Sequence, residues 1–421
     1  MEPTPSGEPR PGSSPLRVHL HDFGCYPFPV ELSRALAARG HDVTHTYAEH
    51  FAGRSVVTTD GAESIRLRFA PVTVRRGSPD YAPHRRIAFE RAFGAALVAR
   101  LRAERPDVVV TANLPLFAAA RLTRYVRRSG LPWLLWHQDV VSLAVGDEAE
   151  RRLPAPVARG ARALAEAVER RALRAAAAVV PIGEAFVEQY ARWGLRPARV
   201  EVVPNWAPLD DIRPRQRDGA WARGQGLRET SLRLLYAGTL GRKHNPDLLA
   251  DLVRELRGRG VDAEMVVVSE GEGADRVARR AADEPGLRVL PYQEASQLPD
   301  VLAAGDVLVA LLEPGASQFS IPSKVLTYFA AGRPVLGFVP ATNAAARDIE
   351  RAGGAVVTPD GAGVRRAADW LAGLSADPAR VAELGRRSRA LAEDRFALDG
   401  IADRFESVLR EVARSGPARR R

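Results

Sequence analysis

Residues 232–250 read LRLLYAGTLGRKHNPDLLA. An apolar, β-prone run, Leu232–Ala237, stops at Gly238. A short glycine loop carries Arg242 and Lys243, and Asn245-Pro246 then gives good helix-start chemistry. Strand, glycine loop and helix form the repeating unit of an open parallel α/β sheet, which binds anions beyond the carboxyl ends of its strands. The glycines of Gly238-Thr239-Leu240-Gly241 let backbone approach an anion, and Arg242 and Lys243 supply charge. The GxxxxGK[ST] spacing of a phosphate-binding P-loop is absent. Residues 319–338, FSIPSKVLTYFAAGRPVLGF, repeat the theme: Ser320-Ile321-Pro322-Ser323-Lys324 opens a helix that Gly332 stops before the next strand. Lys243 and Lys324 are the only lysines in a chain with 61 basic residues. A sequence this biased toward arginine is expected to keep lysine where a compact charge must reach a phosphate or sugar oxygen, because guanidinium is wide and planar. The competing reading is two surface lysines retained by chance.

The same alternation extends outward in both directions. Before the first stretch, strands are expected at Leu16–Leu20, Asp42–Tyr47, Asp107–Thr111, Trp133–His137, Ala178–Ile182 and Val200–Val203, with helices over Val30–Arg39, Arg85–Arg105, Phe117–Arg128, Pro154–Arg174 and Glu184–Trp193. VVPNWAPLDDIRPRQRDG then breaks the pattern and reads as a linker. Strands resume at Leu232–Ala237, Glu264–Ser269, Arg288–Leu290, Val307–Leu311, Val335–Phe338 and Ala355–Val357, and one long helix is expected from Val381 to about Ala413. Gly271-Glu272-Gly273 reads as a plain strand-to-helix turn, since the full dinucleotide fingerprint is missing. The resulting division is a tail (1–15), an α/β domain (16–205), a linker (206–230), a second α/β domain (231–390) and a final helix and tail (391–421). Two parallel, doubly wound sheets are predicted, with a cleft between their carboxyl ends.

Composition bounds the function. Of 421 residues, 46% are hydrophobic and 27% charged, which excludes a wholly disordered chain. Cys25 is the single cysteine, so an intramolecular disulfide is excluded and a cysteine-rich zinc site is not expected; it reads as a small packing residue in a reducing cytoplasm. No apolar run approaches the roughly 20 residues needed to cross a bilayer. Charge is uneven: through Val203 there are 29 arginines against 21 carboxylates, while the remainder has 32 basic and 30 acidic residues. The excess gathers around Arg75, Arg76, Arg85, Arg86 and Arg91 and around Arg121, Arg124, Arg127 and Arg128, a face suited to anionic lipid, nucleic acid or a phosphate-bearing substrate.

The stretches PSKVLTYFAAGRPV, LYAGTLGRKHNPDLL, VVPNWAPLDDIRP and LPYQEASQLPDVLAAGDVLVALL together resemble retaining glycosyltransferases of family 4, in the bacterial branch that builds lipid-linked surface polysaccharides of the colanic acid and O-antigen type. The resemblance implies the GT-B fold: an N-terminal acceptor domain, a C-terminal nucleotide-sugar domain and a last helix crossing back to the first. It implies that Arg242 and Lys243 bind the donor diphosphate and that Ser320 to Lys324 hold the distal phosphate and sugar. Tyr292 and Gln293 would lie near the base, His137 would face the donor sugar, and Gly24 would approach the diphosphate from the other domain. Many relatives carry two glutamates before the Gly-Pro-Val stretch; here Phe319 and Thr327 stand at those positions, and Thr327 is kept as a donor-side residue.

A retaining enzyme of this kind needs little side-chain acid–base work, because the leaving diphosphate can accept the acceptor's proton. The protein's task is to stabilise charge on that diphosphate. The resemblance therefore implies a hexosyl or N-acetylhexosaminyl transferase with His137, Lys243 and Lys324 at its catalytic centre. It would use a UDP- or GDP-sugar and a lipid-linked or glycan acceptor, need no metal or other cofactor, and work peripherally on the anionic inner face of the cell membrane. The alternatives are a UDP-sugar epimerase of the same fold, for which no convincing carboxylate set is visible, and a basic nucleic-acid-binding protein. Aromatics are only 6% and do not interleave with the basic helices, so nucleic acid is not expected as a partner.

Overall fold

The computed structural model describes residues 14–24, 26–49, 65–74, 83–241, 244–313 and 323–415. Its elements follow one another as β1 (Arg17–Asp22), α1 (Pro27–Ala38), β2 (Asp42–Ala48), β3 (Leu67–Val72), α2 (Pro83–Glu104), β4 (Val108–Ala112), α3 (Leu116–Ser129), β5 (Trp133–His137), α4 (Val141–Arg152), α5 (Ala155–Ala175), β6 (Ala178–Pro181), α6 (Glu184–Arg192), α7 (Ala220–Gly224), β7 (Leu232–Ala237), α8 (Asp247–Gly258), β8 (Ala263–Val268), α9 (Glu272–Ala281), β9 (Leu287–Leu290), α10 (Leu298–Ala303), β10 (Val307–Leu311), α11 (Lys324–Ala330), β11 (Val335–Phe338), α12 (Ala344–Arg351), β12 (Ala355–Val357), α13 (Gly361–Ser375), α14 (Pro378–Arg395) and α15 (Leu398–Ser415).

The chain forms two compact units, one from residues 1–204 and 398–421, the other from residues 205–397. Each holds a six-stranded sheet, ordered β3-β2-β1-β4-β5-β6 in the first and β12-β11-β10-β7-β8-β9 in the second. All the pairings are parallel. The central strands β4, β5, β7, β8 and β10 are buried at every position, as expected of sheets covered by helices on both faces. In the second unit two apolar clusters flank the sheet, Leu234, Tyr236 and Val267 facing α8 and α13 on one side, Leu235, Val266 and Leu308 facing α11 and α12 on the other.

Several expectations are corrected. Val200–Val203 forms one bridge, Val200 to Val179, rather than a named strand, although the N–H groups of Glu201 and Val203 donate to the carbonyls of Val179 and Pro181; β6 itself ends at Pro181. Residues 206–230 are no free linker. Ile212, Trp221 and Leu227 are buried in the second unit's core, and Arg217 bonds Asp306 and the carbonyls of Glu229 and Ser231. The long helix expected after Val381 is two helices broken at Phe396, whose ring is buried and whose carbonyl accepts the N–H of Ala207. The second unit thus runs from 205 to 397 rather than from 231 to 390. α15 packs with the first unit: its Phe405 lies edge-on to Trp136 at 4.9 Å, and Arg404 bonds Glu201. α4 and β3 are additional elements.

Candidate active site

The order of the second sheet reverses between β7 and β10, so the connections after these neighbours leave in opposite directions and open a crevice at their carboxyl ends. Gly238 leaves β7 there, and α11 begins there with Lys324. The Lys324 side chain reaches back over β7. Its Nζ lies 4.0 Å from the centroid of the Tyr236 ring and donates to the Tyr236 hydroxyl. That hydroxyl donates in turn to the carbonyl of Thr239 at 2.9 Å. Burial raises the Tyr236 pKa, so the phenol stays neutral. Among the described residues Lys324 has no carboxylate partner, and desolvation lowers its pKa to about 8. The ammonium is thus held by a ring face and a neutral oxygen, an arrangement that stabilises a cation without neutralising it.

The neighbouring backbone is shaped to admit it. Gly238 has φ +133°, a region other residues rarely enter, and a Cβ placed there would lie 3.3 Å from Lys324 Nζ. The end of β7 is fixed by Tyr328 of α11, whose hydroxyl accepts from Ala237 N–H at 3.2 Å and donates to the Ala237 carbonyl at 3.2 Å. Thr239 Oγ1 and the Tyr292 hydroxyl are bonded at 2.7 Å. The Tyr292 N–H donates to Glu270 Oε1 at 3.2 Å, and Gln293 Oε1 accepts from Trp221 Nε1 at 3.0 Å. The loops after β7, β8 and β9 are therefore tied to one another and to α7, leaving Tyr292 43% exposed at their rim.

The structure thus gathers Gly238, Thr239, Tyr292, Gln293, Ser323, Lys324 and Thr327 at the carboxyl end of one sheet. Ser323 caps α11 without a side-chain bond to the helix, and Thr327 lies partly buried one turn beyond Lys324. Arg242, Lys243, Ser320, Ile321 and Pro322 lie outside the described residues, as do Cys25, Phe319, Arg75 and Arg76.

Gly24 and His137 belong to the first unit. Its strand order reverses between β1 and β4, where the Asp22 carboxylate accepts the N–H groups of Gly24 and Tyr26 and the Asn113 side-chain amide. Gly24 lies directly under the Tyr26 ring, so a Cβ there, 2.1 Å from the ring, would displace that exposed side chain. His137 ends β5 and is buried. Its Nδ1 lies 2.6 Å from the Tyr190 hydroxyl and its Nε2 3.3 Å from Glu169 Oε1. Burial raises the Tyr190 pKa, so that phenol stays neutral. Both ring nitrogens are engaged, so a role at a donor sugar would require His137 to give up one of these bonds.

Sequence reasoning missed Tyr236, Tyr328, Glu270, Trp221, Glu169 and Tyr190. Tyr236 carried a signal: an aromatic hydroxyl near the end of a largely aliphatic strand, two residues before a glycine. Glu169 carried none, because it is one carboxylate among many charges on a long helix. Among the described residues no group of three or more His, Cys, Asp or Glu side chains could hold a metal ion.

The family profile of the Glycosyl transferase 4-like domain matches residues 24–206, and that of Glycosyl transferases group 1 matches residues 231–377. WcaI of Escherichia coli (strain K12), whose name proposes glycosyl transfer in colanic acid biosynthesis, is 26% identical over 319 residues, 72% of this chain and 76% of WcaI. Among solved structures, sucrose-phosphate synthase from Thermosynechococcus elongatus superposes with a TM-score of 0.68 at 17% identity, covering 95% of this chain and 100% of that one. Anabaena HepE in complex with UDP-glucose gives 0.67 at 14% identity, covering 94% of this chain and 100% of HepE. With one glycosyltransferase profile on each half of the sequence and a doubly wound sheet in each unit, the chain is a two-domain glycosyltransferase of the GT-B fold.

Proposed function

We propose that this glycosyltransferase moves a hexosyl or N-acetylhexosaminyl group from a UDP- or GDP-sugar to a lipid-linked or glycan acceptor of a bacterial surface polysaccharide, with retention of configuration and without a metal ion. The observation that carries the reading is the Lys324 ammonium, seated on the Tyr236 ring at a sheet switch point with no carboxylate partner among the described residues. A cation held this way gains most from an anion delivered by a ligand, and a nucleoside diphosphate is such an anion. Around neutral pH, below the lowered pKa of about 8, the group is charged. Tyr292 at the rim offers an aromatic edge for a base. The relatives support this chemistry, HepE being seen with UDP-glucose and WcaI being named for glycosyl transfer in colanic acid biosynthesis. In the proposed step the bond from the sugar's anomeric carbon to the diphosphate oxygen breaks, the acceptor hydroxyl oxygen bonds to that carbon on the same face, negative charge grows on the departing diphosphate beside Lys324, and that diphosphate takes the hydroxyl's proton. Thermal unfolding with UDP-, GDP- and dTDP-sugars identifies the donor, since a ligand bound by the folded state raises Tm by mass action. The anomeric configuration of the product, followed by NMR with EDTA present, then tests retention and metal independence. An inverted product overturns the first; activity lost in EDTA and restored by Mg²⁺ overturns the second.

A further inference from the structure

The connections that leave β1, β4 and β5 lie side by side at the carboxyl end of the first sheet, across its switch point. They carry three features that holding the strands together does not require. The first is Tyr26. Its backbone N–H is pinned to Asp22 and its ring lies over Gly24, yet the side chain is 53% exposed. The second is Asn113, the residue after β4. It sits at φ +53°, in the left-handed region that a non-glycine residue enters at a cost, and its amide donates to Asp22 at 3.3 Å. Strain of this kind gathers at binding sites. The third is the pair Gln138 and Asp139, directly after β5. Gln138 Nε2 is buried with no hydrogen-bond partner among the described residues, and Asp139 is exposed. Partial burial, then the charges of Asp22 and Asp139, raise the Tyr26 pKa, which puts both carboxylates within electrostatic reach of the phenol.

The sign of the charge here is opposite to that at Lys324. The described residues of the connections after β1, β4, β5 and β6 (23–24, 26, 113–115, 138–140 and 182–183) include no Arg or Lys. Asp22 ends β1, Asp139 follows β5 and the exposed Glu184 opens α6. An anionic group therefore meets no cationic side chain in these connections and three carboxylates that repel it. An exposed aromatic face with a carboxylate and an amide beside it suits a sugar ring. The sugar's C–H groups rest on the negative face of the aromatic quadrupole, and its hydroxyls donate to the carboxylate.

We propose that this end of the first sheet receives an uncharged sugar ring of the acceptor, stacked on Tyr26 with hydroxyls donated to Asp139. It thereby selects an acceptor whose receiving unit is a neutral sugar over one whose receiving unit is a phosphate or an acidic sugar. Tyr26 is the specificity-determining residue, and Asp139 is the group that rejects anions. A bare lipid phosphate would need a cation where the chain places carboxylates. The inference rests on the glycosyl-transfer reading and narrows its acceptor from any lipid-linked or glycan molecule to one that presents a neutral sugar.

Saturation-transfer NMR on the full-length chain tests it with octyl glycosides below their micelle concentrations. The probes are the neutral glucoside, galactoside, mannoside and N-acetylglucosaminide, the acidic glucuronide, and octyl phosphate. At least one neutral glycoside is expected to receive saturation on its ring protons and to bind about tenfold more tightly than the glucuronide or octyl phosphate. Tyr26→Ala should weaken that glycoside about fivefold, and Tyr26→Trp, which keeps an aromatic face, should bind it like the parent. Asp139→Asn should narrow the gap between that glycoside and the glucuronide about fivefold. Tyr26 and Asp139 are exposed, so Tm should match the parent. The proposal falls if saturation stays on the octyl chains, if the glucuronide or octyl phosphate binds as well as the best neutral glycoside, or if Tyr26→Ala binds like the parent. Donor-induced thermal shifts, read on the same proteins, keep the two readings apart. A shift present in the parent with no neutral-sugar binding overturns this inference alone, whereas a parent that no nucleotide-sugar shifts overturns the donor reading beneath it.

Discussion

The two sheets share one strand order, yet the groups at their switch points are treated in opposite ways. Between β1 and β4 stands a carboxylate, Asp22, which is consumed internally: the N–H groups of Gly24 and Tyr26 and the Asn113 amide all point at it. Between β7 and β10 stands an ammonium, Lys324, which meets a ring face and a neutral phenol. The first charge holds its own loop in place. The second is desolvated and has no counter-ion among the described residues. A fold that repeats its topology need not repeat its chemistry; what differs is whether the local backbone satisfies the charge or leaves it for a ligand.

The sharpest way to break this contrast is Lys324→Arg. Charge is kept, but the guanidinium must fit between Gly238 and the Tyr236 ring, where Nζ now sits 4.0 Å from the centroid. We expect kcat/KM to drop about 100-fold, equivalent to about 2.7 kcal/mol. The Tm of the ligand-free protein should change little. Turnover equal to the parent would mean that this lysine is an accident of composition. A second test uses pH. Because the ligand-free ammonium titrates at about 8 and a bound diphosphate would hold the proton, affinity for a nucleoside diphosphate should be flat below pH 7.5. Above pH 8 it should weaken about tenfold per pH unit. Flat affinity to pH 9.5 by calorimetry would remove Lys324 from the site.

The Asp22 side of the comparison predicts a structural effect. Asp22→Asn removes charge-assisted acceptance from two backbone N–H groups and should cost about 1–3 kcal/mol of stability, with nucleotide affinity unchanged. Denaturant midpoints and calorimetry separate the two readouts; a variant as stable as the parent with weakened nucleotide binding would invert the assignment. The same unit's buried imidazoles predict an effect on stability that grows as the pH falls. His19, His21 and His45 lie on β1 and β2, linked through Thr46 and Ser33, and burial lowers all three pKa values, that of His45 to about 3. The unfolded chain takes up protons below about pH 6.5 that the folded unit refuses. Stability should therefore fall as pH drops from 6.5 toward 4 and hold steady from 6.5 to 7.5. A Tm unchanged between pH 7 and 5 would contradict it.

Strands were the most legible part of this chain. Leu232–Ala237, Val307–Leu311, Val335–Phe338 and Trp133–His137 are short apolar runs bounded by turn chemistry, and the structure places strands there residue for residue. β3 escaped because Leu67–Val72 holds Arg68 and Pro71 and pairs along a single edge with β2. α4 escaped because it buries only small residues, Ser142, Gly146 and Ala149, so no bulky periodic face marks it. The segment after Pro204 misled for the opposite reason: its prolines and charges look like linker, while Ile212 and Trp221 go into a core formed with residues far along the chain. At the site, Lys324 stood out by rarity and by its place at a helix start. Its partnership with Tyr236 did not, because the two are 88 positions apart and only the fold brings ring and ammonium together.

The return of α15 to the first unit gives the chain a particular order of assembly. Ile401, Phe405, Val408 and Leu409 are buried there, against a sheet whose strands are complete by Pro181. A ribosome making this protein finishes that sheet, then the whole of residues 205–397, before it delivers the helix that covers Trp136. Through that interval the nascent first unit shows a wet apolar stripe, while the second can close on itself as soon as it emerges. The earlier-made half is thus the later to receive its last helix.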